Sequence, residues 1–276
     1  MNGTIIALLV ALNTANVQAA DIVDINPVTQ EVEVVSTEMY SATNTSEIAT
    51  DFTSEISYEE VIASESIEVV QKEPLRKNKL EFKNIQQLPE LPAGCEITSA
   101  TMALNYYGFN VTKMQMLNHL EIDDDWSNGK GPNPWRTFAG NPRKSYYGAY
   151  GPVIEKAINS YFDSIGENGF RAKFVMWKSM DDMYAHIDNG DPVIVWATIK
   201  MSSVVYKNSW IDKKTGDLIK FPGGEHCLVL IGYDKDKKTV ILSDPYDKRG
   251  TVEYSEELFL KRYKQLDSQT VIIQKS

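Results

Sequence analysis

The sequence predicts an α+β domain over residues 80–276, with helices ahead of an antiparallel sheet. Three observations carry this. Ile97, Ala100, Leu104 and Tyr107 recur at helical spacing, short strand-like runs bounded by turn residues dominate from Pro192 onward, and the excess of acid lies outside this span. With 42% apolar and 24% charged residues among 276, the chain is neither fibrous nor wholly disordered, and its length allows one sizeable core plus an extension. The formal charge of −10 excludes a nucleic-acid surface, which needs clustered Lys and Arg. Residues 1–70 hold 12 acids and no base, leaving 26 acids against all 28 bases for the rest, interleaved as on a solvated surface.

Residues 5–12 form a short apolar run followed by Val17-Gln18-Ala19-Ala20, small residues suited to signal-peptidase cleavage. A removable secretory signal over 1–20 is the expectation, although its first 20 residues lack the usual Lys or Arg. The run is too short to span a bilayer, so the product is expected to be secreted or held at the cell surface, monomeric, and without a membrane span after signal removal. Residues 21–70 carry 13 Ser or Thr, 12 acids, one Pro and no Gly. Self-repulsion with little apolar area predicts a disordered acidic spacer over 21–79. The other reading is a small accessory domain, because Val32–Val35 and Ile67–Val70 alternate like stray strands.

The folded domain then starts near Leu80. Ala93-Gly94 opens the first helix, which Gly108 stops, so Cys95 falls in its first turn. A second helix is expected over 109–120. Residues 123–150 are rich in Gly, Pro, Asn and aromatic residues, among them Trp126, Trp135, Tyr146, Tyr147 and Tyr150, with no clear period, as in many binding loops. Helices follow over 152–162 and 179–189, the latter stopped by Gly190 ahead of the strand 193–198. His226–Tyr233 and Thr239–Ser243 read as a hairpin around Asp234–Lys237, and strands at 251–254 and 269–274 flank a helix at 255–265.

A thiol is a useful nucleophile only as thiolate, and a helix N-terminus favours that form. Cys95 has that position. It also needs an imidazole to take and return a proton, and the domain offers His119, His186 and His226. His119 and His186 sit on helices among polar neighbours, whereas His226 begins a strand after the Gly-rich turn Pro222-Gly223-Gly224-Glu225. Asp244 closes the partner strand of the hairpin, which returns it beside His226 as an orienting acceptor.

These residues lie within a larger pattern. Leu88-Pro89-Glu90-Leu91-Pro92-Ala93-Gly94-Cys95-Glu96-Ile97-Thr98-Ser99, then Asn105-Tyr106-Tyr107-Gly108, Gly190-Asp191-Pro192-Val193-Ile194-Val195, His226–Asp234 and Ser243-Asp244-Pro245 follow in order across residues 83–275. The pattern resembles the stand-alone branch of the bacteriocin double-glycine leader peptidase-like family. The resemblance implies a papain-like cysteine peptidase fold, with Cys95 as nucleophile, His226 as general base and Asp244 orienting it. It also implies an upstream Gln that helps the nucleophile's N–H hold the oxyanion, with Gln87 preferred over Gln86. The best-known members are fused to ABC transporters and cut after Gly-Gly in bacteriocin leaders. This chain shows neither membrane nor ATP-binding segments, so leader processing is not carried over.

The expected function is that of an exported cysteine peptidase or related thiol hydrolase acting on a peptide or isopeptide bond of a peptide or cell-surface substrate, with no cofactor. The same triad also suits a thiol acyltransferase. A binding module from another functional class would keep the fold and use the aromatic loop on a surface partner; its rings could also stack on cell-wall sugars. A Cys95–Cys227 disulfide would remove the nucleophile. Strand alternation opposes it, because Cys227 is expected to face away from Cys95 into the core if His226 faces the helix. Metal ligation is disfavoured, since only His226-Cys227 lie at ligand spacing and a strand splays them.

Overall fold

The computed structural model describes residues 75–144, 147–176 and 179–276. The expected signal and residues 21–74 of the expected spacer lie outside them. Lys77–Lys79 forms β1, followed by α1 (Cys95–Tyr106) and the short α2 (Lys113–Met116). Two-residue strands β2 (Ile122–Asp123), β3 (Lys130–Gly131) and β4 (Phe138–Ala139) punctuate the aromatic loop before α3 (Gly151–Ile165). Then come β5 (Phe170–Met176), α4 (Met180–Asp188), β6 (Val193–Thr198), β7 (Val205–Asp212) and β8 (Leu218–Gly223). The chain ends with β9 (Glu225–Asp234), β10 (Thr239–Ser243), β11 (Thr251–Ser255), α5 (Glu256–Gln265) and β12 (Gln269–Lys275).

The main sheet runs β11-β10-β9-β6-β12-β5 with antiparallel neighbours throughout. β1 pairs with the far end of β9, Asn78 opposite Tyr233, so the folded unit takes in residues upstream of the expected start at Leu80. Gly232 permits this approach: a Cβ there would lie 2.6 Å from the Asn78 carbonyl oxygen.

Period-two alternation sorts the central strands between two cores. Cys227, Val229 and Ile231 of β9 pack with Ile194 and Trp196 of β6 and with α1 and α3. Leu228 and Leu230 pack with Val193, Val195, α4 and α5 on the other side. Burial on both faces is why these strands read as continuous apolar runs. α1 is the central helix, buried from Cys95 to Leu104 on every side. Its C-terminus gives way to Gly108 at φ 90°, a left-handed position suited to glycine.

The second helix is shorter than expected. The Asn105 side chain bonds both the backbone N–H and the carbonyl of Val111 and holds a turn there, so helix begins only at the Thr112–Gln115 capping box. The third helix is longer than expected, reaching Ile165 before Gly166 at φ 70° ends it. Strands β5, β7 and β8 were not legible as strands. β7 is exposed over its first five residues and pairs with β8 and β3 in a small separate sheet, where no apolar alternation marks it. The aromatic loop packs on Trp210 of that sheet and on itself: Tyr147 lies 4.6 Å from Trp210, Trp126 5.0 Å from Trp210, and Trp135 4.7 Å from Tyr150, centroid to centroid. These rings pack against one another, Tyr147 also bordering a cavity.

Candidate active site

Segment 87–95, the start of β9 and the turn after β10 converge on one open cavity of about 510 Å³, lined by Gln87, Cys95, Tyr147, Glu225, His226 and Tyr246 among others. Cys95 is the first residue of α1, behind the Gly94 N-cap, and is 6% exposed. His226 enters from the second position of β9, 1% exposed. Asp244, one residue past β10, is brought to it by the hairpin, with Nε2 to Oδ1 at 2.7 Å. The same Oδ1 accepts the backbone N–H groups of Tyr246 at 2.8 Å and Asp247 at 3.2 Å. With Nε2 on Asp244, the His226 Nδ1 is the ring nitrogen left for chemistry.

Burial alone would raise the Asp244 carboxyl. The His226 hydrogen bond and charge, with the two amides, outweigh it and hold Asp244 below the ordinary carboxylate value. His119 bonds Ser160 Oγ instead, and neither it nor His186 lines the cavity.

The two glutamines separate. Gln86 turns away, donating to Asn84 Oδ1 at 2.7 Å and to the Asp247 carbonyl at 2.9 Å. Gln87 lines the cavity, but its Nε2 donates to the carbonyls of Leu91 at 3.2 Å and Pro92 at 2.9 Å. Its amide is thus engaged locally in this geometry and must shift to meet an oxyanion. Lys113 of α2 fixes the segment, its Nζ donating to the Gln86 and Gln87 carbonyls and to Glu90.

The thiol's electrostatics differ from the expectation drawn from its helix position. Burial pushes Cys95 well above the ordinary thiol value, and the neighbouring Glu96 and Glu225 push it further. The Cys95 thiol donates to Glu96 Oε2 at 3.3 Å, and Glu96 Oε1 accepts the Ala149 N–H at 2.7 Å. Burial raises the Glu96 carboxyl to about 7 and, with Glu96 beside it, raises Glu225 well above the ordinary value. Burial and the two carboxyls thus favour the neutral thiol over the thiolate, against the pull of the helix N-terminus.

Cys227 is also a free, buried thiol. It lies in the same core as Cys95, beneath α1, rather than turning away from it, and Ser99 Oγ bonds its carbonyl at 3.1 Å. Nor does spacing along the chain limit ligand sets as expected: donor atoms of Cys95, Glu96 and Glu225 lie within 4.8 Å of one another. Glu96 and Glu225 are the site residues the sequence reading passed over. Their signal was an acid directly beside each residue already singled out, one of them inside a buried helix.

The model of the Peptidase_C39 like family matches residues 79–271. The uncharacterized protein YvpB of Bacillus subtilis is 31% identical over 194 residues, covering 70% of this chain and 73% of its own. Among solved structures, one from Bacillus anthracis, described as C39-like peptidase, superposes with a TM-score of 0.64 at 30% identity, covering 72% of this chain and 98% of that one.

Proposed function

The chain belongs to the Peptidase_C39 like family and is a cysteine peptidase, and from that premise we propose that it cleaves a peptide or isopeptide bond with Cys95 as nucleophile, His226 as base and Asp244 as the residue that orients the imidazole. The observation that carries this reading is the shared cavity, with the thiol at a helix start and an imidazole whose Nε2 is held by a buried carboxylate at 2.7 Å. Because burial keeps the resting thiol neutral, His226 works as a general base during attack rather than as half of a preformed ion pair. Its Nδ1 takes the thiol proton as sulfur bonds the carbonyl carbon, then returns that proton to the leaving amine. The Cys95 N–H, with Gln87 once its amide turns, receives the oxyanion. Water then attacks the thioester, releasing the acid and restoring the thiol.

The apolar run at 5–12 and the small residues after it support export to the cell exterior, where a peptide or cell-surface substrate is met. The test is digestion of a peptide library, read by mass spectrometry, with wild-type chain and Cys95→Ala. New termini that need Cys95 support hydrolysis, and their absence under all conditions refutes it. Added amines that appear in the products would instead mark an acyltransferase.

A further inference from the structure

Around the proposed nucleophile lies a cluster whose two carboxyls the peptidase reaction does not use. Cys95, Glu96 and Glu225 are all buried, and their donor atoms fall within 4.8 Å of one another. Glu225 is 8% exposed, and its Oε1 has no hydrogen-bond partner among the described residues. Both carboxyls crowd Gly148: a Cβ there would lie 2.3 Å from Glu96 Oε1 and 2.9 Å from Glu225 Oε2. A buried thiol and two buried carboxyls gathered in one place, one carboxyl oxygen of which has no hydrogen-bond partner among the described residues, offer convergent donors for a cation.

We propose that Cys95, Glu96 and Glu225 bind one thiophilic divalent cation of the zinc type, through the Cys95 sulfur and one oxygen of each carboxylate. A zinc ion with sulfur at about 2.3 Å and oxygen at about 2.0–2.2 Å sets its S···O edges at roughly 3.5 Å. The Cys95 Sγ to Glu96 Oε2 separation is already 3.3 Å, so a metal can replace the thiol proton with little motion. The Ala149 N–H on the other Glu96 oxygen orients that carboxylate as an outer-shell partner does. The open cavity supplies the entry path, since Cys95 and Glu225 both line it. A thiolate among the donors selects against magnesium and calcium. Binding forms one S–metal and two O–metal bonds and releases the thiol proton, with any proton on the carboxyl pair, to solvent; no electrons move. The consequence is reversible latency, which rests on the reading of Cys95 as nucleophile; the binding itself does not.

The experiment titrates the full chain, stripped by chelator, with Zn²⁺ alone by calorimetry and with Cd²⁺ alone by the thiolate-to-cadmium charge-transfer band. One equivalent is expected, with the band lost in Cys95→Ser and kept in Cys227→Ser. Affinity is expected to fall about tenfold or more in Glu225→Gln and, as an independent second variant, in Glu96→Gln. Loaded protein is expected to resist iodoacetamide at Cys95. No saturable binding overturns the proposal, as does binding that survives both glutamine variants but is lost in His226→Ala, which would put the ion between thiol and imidazole. Binding that leaves peptide cleavage untouched overturns the nucleophile reading and leaves the site standing.

Discussion

Replacing Asp244 separates orientation from charge in a way this geometry makes specific. In a Ser-His-Asp triad an Asn in place of the acid forces the wrong imidazole tautomer, at a cost near 10⁴-fold. Here the Tyr246 and Asp247 N–H groups both donate to Asp244 Oδ1, the same oxygen that meets His226 Nε2. A flipped amide would set its NH₂ against two fixed donors, so Asp244→Asn keeps its oxygen in place and Nε2 stays protonated. What is lost is the difference between a charge-assisted and a neutral hydrogen bond, about 1.4 kcal/mol, or about tenfold. Asp244→Ala instead leaves the imidazole and two amides without their acceptor, costing about 3 kcal/mol, or about 150-fold. The assay is iodoacetamide alkylation of Cys95 at pH 7, whose rate follows the small thiolate population that His226 stabilises by accepting the proton. Equal losses in Asn and Ala would refute the oxygen-locking argument; no loss in either would remove Asp244 from the site.

Other expectations follow from the same contacts. Glu96→Gln removes the carboxylate beside the thiol, so the alkylation pH profile of Cys95 moves to lower pH, while burial keeps it above that of a free thiol. Gly148→Ala drives a methyl against both carboxyls and lowers stability by about 1–3 kcal/mol in urea denaturation. Gln87→Ala lowers kcat about 100-fold with little change in KM, as loss of an oxyanion donor does, whereas Gln86→Ala acts on stability through its bonds to Asn84 and Asp247. Burial would raise the Asp212 carboxyl, but Asn133, the Lys214 N–H, Thr215 and Arg136 hold it well below the ordinary value. A depressed carboxylate stabilises fully above its unfolded value and loses that contribution as pH falls toward the folded one. Thermal stability therefore drops below about pH 4, and Asp212→Ala, which loses charge-assisted hydrogen bonds worth about 1.5–3 kcal/mol at neutral pH, flattens that acid limb.

What was legible in the chain follows from which physics is local. The positions of Cys95 at a helix start and His226 at a strand start were readable because Gly94 and Gly108 bracket one element, and Gly223-Gly224 precedes the other. The hairpin that returns Asp244 was readable because its turn is short and polar. β7 and β8 were not, since their partners are each other and a two-residue strand, and the burial pattern arises only once Trp126, Tyr147 and Trp210 have packed.

The thiol's state was misjudged for a related reason. A helix N-terminus acts within one turn, a local effect, whereas desolvation depends on what covers the site, and here β9 and the 147–149 segment do so. The same covering brings Glu225, 129 residues away in sequence, next to Glu96. A protein that buries two carboxyls against Cys95 opposes the thiolate in the resting state. In the proposed mechanism the balance shifts when substrate arrives, as His226 takes the proton and the sulfur's charge passes to the carbonyl oxygen. Glu96 and Glu225 then no longer face a thiolate, and the groups that suppress the resting thiolate oppose the transition state less than they oppose the free ion.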